Sequence, residues 1–117
     1  MPRRSLKWLE DIRRSGRVIR EATAGITLED YLRNDLLRAA VERHFEIIGE
    51  AMGRVLRAEP DVAASIPDAA RIIAFRNLLI HGYDVVEHAT VLKVAQESVP
   101  PLLTRVDELI RELSSSA

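Results

Sequence analysis

Apolar residues recur at steps of three and four along almost the whole chain, whereas no segment of useful length alternates apolar and polar residues with a period of two. The first spacing places apolar side chains on one face of an α-helix, and the second would be needed for a half-buried strand. The pattern therefore predicts an all-α protein, in which four main helices form an up-and-down bundle with antiparallel neighbours.

Capping residues and glycine set the expected limits of the first two helices. Helix one is predicted over residues 3–24 and ends at Gly25, which favours the end of a helix. Thr27 stands at an N-cap position with Asp30 three residues later, so helix two should begin there and continue until just before Pro60.

The second half of the chain follows the same logic. Residues 59–68 are expected to form the main loop, because this segment holds two prolines and two aspartates. Asp68 is the expected cap of helix three. A last apolar stripe over residues 92–113 predicts a fourth helix, bent where two successive prolines remove backbone donors, and residues 114–117 are expected to fray.

Size and composition favour one compact domain over residues 1–117, since 47% of the chain is hydrophobic and 30% is charged. Cysteine is absent, which excludes disulfides and thiolate metal sites. The N-terminal segment lacks the apolar core of a signal peptide, and no apolar run approaches the roughly 20 residues that cross a bilayer. We therefore expect a cytoplasmic protein without a membrane partner.

The net charge of −1 hides an asymmetry along the chain. The first 20 residues carry six arginines and one lysine against Glu10 and Asp11, so the rest of the chain sums to −6. A basic first helix can attract a polyanion such as RNA, although a charged helix face is more often simply solvated.

Most named enzyme motifs are missing from the sequence. There is no glycine-rich phosphate loop, and the three histidines at 44, 81 and 88 stand alone rather than at metal-ligand spacing, so neither a metal nor a cofactor is expected. His44 lies on an apolar stripe, as a core or interface histidine would, and His88 is expected at the surface near a helix start. Arg43, Glu46 and Glu50 share one flank of helix two, where ion pairs are the usual role and support of an active site is an alternative.

The segment "RIIAFRNLLIHGYD" (71–84) places polar residues within an apolar run. Arg76 should lie in or beside the core, where an unpaired cation is costly, so it needs a partner or a cleft. Arginine grips phosphate with a planar fork and histidine exchanges protons near neutral pH, which suits phosphodiester chemistry. On a continuous helix, Arg76 and His81 project about 140° apart, so a second copy of the chain is expected to complete the site.

"RNLLIHGY" (76–83) matches the R-x4-6-H signature of HEPN domains, with the polar Asn77 directly after the arginine. "AVERHFEIIGEA" (40–51), the Ile-Pro before helix three and the tyrosine two residues after His81 resemble one branch, the HepT-like toxins. The resemblance runs from about residue 28 to residue 113 in order and spacing.

This resemblance implies a metal-independent endoribonuclease, the toxin of a type VII-like toxin–antitoxin pair, which works as a twofold homodimer. In that reading His81 acts as general base or acid, Arg76 stabilises the charged phosphorane and Asn77 orients the phosphate or His81. The implied partners are an RNA substrate and a minimal nucleotidyltransferase antitoxin, with which the dimer can form a larger complex. The antitoxin would silence the toxin by transferring AMP to Tyr83.

Two alternatives remain open on the sequence. The polar residues of helix three can form a buried cluster that only fixes a dimer. The chain can also be a non-catalytic helical subunit that binds nucleotides or docks onto a nucleotidyltransferase. Cleavage of RNA in the presence of EDTA separates the catalytic reading from this last one.

Overall fold

The computed structural model describes residues 4–115, except for the side chain of Tyr83. Helices joined by short connections make up this part of the chain. No strand occurs among these residues, which confirms the predicted fold class. In chain order the elements are α1 (Ser5–Thr23), α2 (Leu28–Leu32), α3 (Asp35–Ala58), α4 (Pro60–Ala64), α5 (Ala69–His81), a 3₁₀ turn (Tyr83–Val85), α6 (His88–Glu97) and α7 (Val99–Ser115).

The apolar stripes predicted from the sequence form the core. Helix α1 packs against α3 and α7, and α3 also packs against α5. The largest side chains that are almost fully buried are Tyr31, Leu9, Ile12, Ile19, Ile48, Met52 and Leu103. The four-helix arrangement follows from these faces, since each long helix buries one stripe against its neighbours.

The predicted second helix is in fact two helices. The helix is interrupted at Arg33 and Asn34. The Asn34 side chain accepts a hydrogen bond of 3.0 Å from the backbone N–H of Leu37 and so caps the second helix. Thr27 caps the short α2 as expected, through a 3.1 Å bond from the N–H of Asp30. The asparagine competes for backbone donors and so starts a new helix, which the apolar periodicity alone did not reveal.

Prolines act as helix starters in two places. Pro60 occupies the first turn of α4, a short helix within the segment expected to be a loop. The predicted fourth helix is interrupted at Ser98, and Pro100 and Pro101 lie in the first turn of α7. Backbone donors are free in a first turn, so proline is tolerated there. Residue 115 is still helical, and 116–117 lie outside the described residues.

Asp68 precedes α5 but is not the side-chain cap that the sequence predicts. Its φ of 65° is left-handed, its side chain makes no capping hydrogen bond, and its carboxylate lies 3.6 Å from the guanidinium of Arg71. At the end of α1, the other left-handed residue is Gly25, with a φ of 71°, which glycine adopts without strain.

Helix α5 lies at the edge of the bundle and packs mainly against α3, although its nearly continuous apolar composition is typical of a central helix. Leu79 is its one buried residue, and Leu78 is 42% exposed. In the 3₁₀ turn beyond it, Val85 is 67% exposed. A helix that is apolar on nearly every side is thus covered on one side only within a single chain.

Candidate active site

Gly49 lets α5 lie unusually close to α3. A Cβ atom at this position would fall 2.1 Å from the Cβ and 2.6 Å from the Cγ of Arg76. No pair of side chains packs at such distances, so only glycine fits at this crossing. The sequence analysis did not single out Gly49, although an isolated glycine inside a long helical pattern is a signal for close packing.

Arg76 lies where the two helices meet, and its side chain is 28% exposed. One terminal nitrogen is 3.2 Å from a carboxylate oxygen of Glu50, and the other donates to Oδ1 of Asn77 at 3.0 Å. Its Nε atom is buried and has no hydrogen-bond partner within the described part of the chain. The arginine therefore has both features expected from the sequence, a partner and an open space beside it.

Glu50 has a wider role than the predicted surface ion pair. It is 3.3 Å from Nε of Arg54 one turn later, as expected for helix neighbours, and it also reaches Arg76 on α5. A carboxylate between two guanidinium groups holds the Arg76 fork in one orientation.

A cleft of about 330 Å³ opens beside Arg76, between α1, α3 and α5. The predicted supporting residues Arg43 and Glu46 line it together with Glu50, and so do two residues of α1 that the sequence analysis did not propose, Lys7 and Trp8. Its remaining walls are Asp11, Ile47, Ala51, Arg54 and Ile80. Four cations face three carboxylates in this cleft, so its charge is weakly positive.

His81 is exposed and is the last residue of α5. The helix continues through it, because the N–H of Gly82 still donates to the carbonyl of Leu78 at 2.8 Å. Arg76 and His81 therefore keep the angular separation of about 140° that five residues of helix impose. A single chain does not bring the two side chains together, and His81 is not among the residues that line the cleft.

Tyr83 begins the 3₁₀ turn that follows Gly82. Its backbone is described, whereas its side chain lies outside the described part of the structure. The neighbouring Asp84 and Val85 are exposed, so the segment around the tyrosine reaches the surface.

The other two histidines belong to the scaffold. His44 is half-buried and its Nδ1 lies 3.0 Å from the hydroxyl of the buried Ser15, which links α3 to α1 as a satisfied core histidine would. Burial, and then the charges of Arg43 and Arg14, lower the pKa of His44 below its usual value. His88 is half-buried rather than at the surface, and it packs edge-on against Tyr31 with ring centres 6.3 Å apart.

The basic residues of α1 divide between two faces. Arg13 and Arg17 lie 3.7 and 3.8 Å from the carboxylate of Asp107 on α7 and so help to attach that helix. Lys7 points to the cleft. The basic segment is therefore partly structural and partly available to an anion.

Within residues 4–115 no group of histidine and acidic side chains is arranged to hold a metal ion. Over the same residues, every helix is either too short or too polar to cross a membrane.

Comparisons with known proteins identify the family to which the chain belongs. The family model described as ribonuclease HepT-like matches residues 12–109. A protein of Thermococcus cleftensis named "Probable ribonuclease HepT" is 33% identical over 93% of this chain and 98% of its own length. "Putative RNase MJ1380" of Methanocaldococcus jannaschii is 31% identical over 92% of this chain and 98% of its own. No solved structure matches. The chain therefore belongs to the HepT-like ribonuclease family.

Proposed function

We propose that this protein is a metal-independent endoribonuclease and that Arg76, Asn77 and His81 form its active site. The observation that carries the proposal is the position of Arg76, whose guanidinium is held by Glu50 and Asn77 beside an open cleft and whose side chain is 28% exposed. The exposed part of a guanidinium can donate charge-assisted hydrogen bonds, and a phosphate oxygen is a suitable acceptor.

The chemistry requires only proton transfer and stabilisation of charge. The 2′-oxygen of the ribose attacks phosphorus while its proton passes to a neutral imidazole, the bond from phosphorus to the 5′-oxygen breaks, and the leaving oxygen takes a proton from an imidazolium. The products are a 2′,3′-cyclic phosphate and a free 5′-hydroxyl. His81 supplies the imidazole, and Arg76 stabilises the negative charge of the phosphorane.

A homodimer would bring the parts of this site together. Because Arg76 and His81 diverge on one helix, a second copy packed on α5 is needed to place a histidine opposite an arginine. Such a dimer also supplies two copies of His81, one to take the proton and one to return it. The exposed apolar surface at Leu78 and Val85 supports this packing.

RNA cleavage in EDTA is the decisive assay. We expect the purified chain to cut RNA, and both Arg76→Ala and His81→Ala to abolish cutting while the helical circular dichroism signal is retained. Arg71→Ala is a matched control, because the one ion pair of this exposed arginine with a residue that the structure describes is with Asp68 on the same helix end. A wild-type chain that leaves RNA intact would favour the non-catalytic binding subunit instead.

The dimer has its own test. We expect light scattering to give a dimer at micromolar concentration, and Leu78→Glu to yield inactive monomers, since a charge would be buried in the interface. Leu36→Glu should change neither property, because Leu36 is 84% exposed and lies about 140° around α3 from Gly49. An active monomeric wild type would refute the composite site.

We further propose that the protein is a toxin and that a nucleotidyltransferase antitoxin neutralises it by attaching AMP to Tyr83. The position of this residue supports the idea, since it follows α5 directly and lies two residues beyond His81. An added phosphodiester and base would occupy the phosphate site and repel RNA.

Mass spectrometry after co-expression with such a transferase should find AMP on Tyr83, and Tyr83→Phe should stay toxic in its presence. Full silencing of Tyr83→Phe by the transferase would mean that neutralisation occurs by binding.

A further inference from the structure

Helix α1 forms one wall of the cleft beside Arg76, and Trp8 lies in that wall. This is the chain's one tryptophan, it is half-buried, and it lines the cleft. The guanidinium of the exposed Arg4 lies 5.9 Å from the centre of its ring. Arg4 itself is not among the residues that line the cleft, so the part of the ring that lines the cleft is left for a flat nucleobase to stack on.

Arg43 gives the same cleft an available cation. It is exposed and makes neither a hydrogen bond nor an ion pair with the residues that the structure describes. Two of the three carboxylates in the cleft are already neutralised, since Asp11 pairs with Arg14 at 3.0 Å and Glu50 pairs with Arg76. A phosphate entering the cleft thus meets more free positive charge than the residue count suggests.

The shape of the cleft also suits a nucleotide. Its volume of about 330 Å³ is near the lower end of the range for small-molecule sites, about 300–1,000 Å³. Ile47 and Ile80 add apolar surface to the lining of the cleft. Aromatic stacking combined with a phosphate-binding cation is the usual way in which proteins hold a single-stranded nucleic acid.

We propose that this cleft is a nucleotide subsite for the RNA strand next to the bond that is cut, with a base stacked on Trp8 and its phosphate bound by Arg43. The proposal rests on the ribonuclease function, because Arg76, which also lines the cleft, marks the phosphate that reacts. The subsite positions the strand and takes no part in proton transfer. Its loss should therefore raise KM and leave kcat nearly unchanged.

Binding can be measured without cleavage, because Trp8 is the only source of tryptophan fluorescence in the chain. A 2′-O-methyl RNA hexamer has no 2′-hydroxyl to react, and we expect it to quench this fluorescence at low salt and to do so less strongly as salt increases. In cleavage assays Trp8→Leu and Arg43→Gln should each raise KM about tenfold or more while kcat stays within about threefold. Arg111→Gln, an exposed arginine of α7 outside the cleft, should match the wild type.

The outcomes for the subsite and for the ribonuclease function differ. A wild type that cleaves RNA without fluorescence quenching, or whose KM is unchanged by Arg43→Gln, overturns the subsite and leaves the ribonuclease intact. A wild type that binds the hexamer through Arg43 without cutting any RNA overturns the ribonuclease and supports the subsite. Arg43 is exposed, so its variant remains informative even if Trp8→Leu fails to fold.

Discussion

Replacement of Gly49 by alanine would perturb the contact that positions Arg76. The new Cβ would lie 2.1 Å from the Cβ of Arg76, whereas ordinary contacts begin near 3.4 Å. The Cβ of Arg76 is fixed by its own backbone, so no change of rotamer removes this overlap. Helix α5 must therefore move away from α3 by roughly 1 Å or more, and it carries the arginine with it.

Two effects of opposite sign determine the stability of this variant. Alanine is a better helix former than glycine by about 1 kcal/mol, which stabilises α3. Overpacking at the crossing costs about 1–3 kcal/mol. Gly53→Ala isolates the first effect, because the nearest atom to a Cβ at Gly53 is the flexible end of Arg57 at 3.5 Å.

We expect Gly49→Ala to be less stable than Gly53→Ala by about 1–3 kcal/mol, which is roughly 4–12 °C in Tm for a domain of this size. Calorimetry or thermal circular dichroism gives this difference directly. RNA cleavage should fall about 100-fold in Gly49→Ala and stay unchanged in Gly53→Ala, because an ångström of displacement at a reacting group is enough for such a loss. Equal Tm values and equal activities in the two variants would refute the close approach of α5 and its role in positioning Arg76.

Three further predictions follow from single contacts. The pKa of His44 is lowered in the folded protein, so as the pH falls below about 6.5 the unfolded chain binds a proton more readily than the folded one. The free energy of unfolding should therefore decrease below that pH. His44→Gln should show a smaller decline in Tm between pH 7.5 and 5 than the wild type. Tyr31 has a buried hydroxyl with no hydrogen-bond partner among residues 4–115, and burial raises its pKa to about 12. Tyr31→Phe should accordingly keep or raise the Tm, and a drop of several degrees would reveal a hydrogen bond. Glu50→Gln removes a negative charge next to Arg76, so the 2′-O-methyl hexamer should bind roughly fivefold more tightly at low salt; unchanged affinity would mean that the carboxylate does not compete with phosphate.

Local signals in the sequence predicted much of the fold. The apolar stripes through Leu9, Ile48 and Leu103 gave the helices and their buried faces, because burial of one stripe per helix is what holds such a bundle together. The same stripes wrongly predicted α2 and α3 as one helix, and α6 and α7 as another. A capping asparagine at residue 34 and the interruption at Ser98 break the helical hydrogen bonds without disturbing the apolar period.

The pattern of polar residues in an apolar run also determined part of the candidate site. Arg76, Asn77 and His81 stood out because a cation within such a run needs a partner, and the residues that line the cleft include Arg43, Glu46 and Glu50 from the neighbouring helix. The apolar pattern could not predict that Arg76 pairs with Glu50. Glu50 lies 26 positions earlier and comes within reach only through the packing of α5 on α3.

Apolar spacing and capping signals were enough to predict the four main helices, their apolar faces and the polar side chains proposed to carry the chemistry, because these depend on neighbours within one or two helical turns. Three features became visible only in the packing of the whole chain: Gly49 lets α5 approach α3, Trp8 and Lys7 of α1 line the cleft, and α5 keeps an uncovered apolar side. These features arise from contacts between helices that are distant in the chain. Their geometry depends on how the surfaces of whole helices pack together, and the periodicity within one helix does not predict that packing.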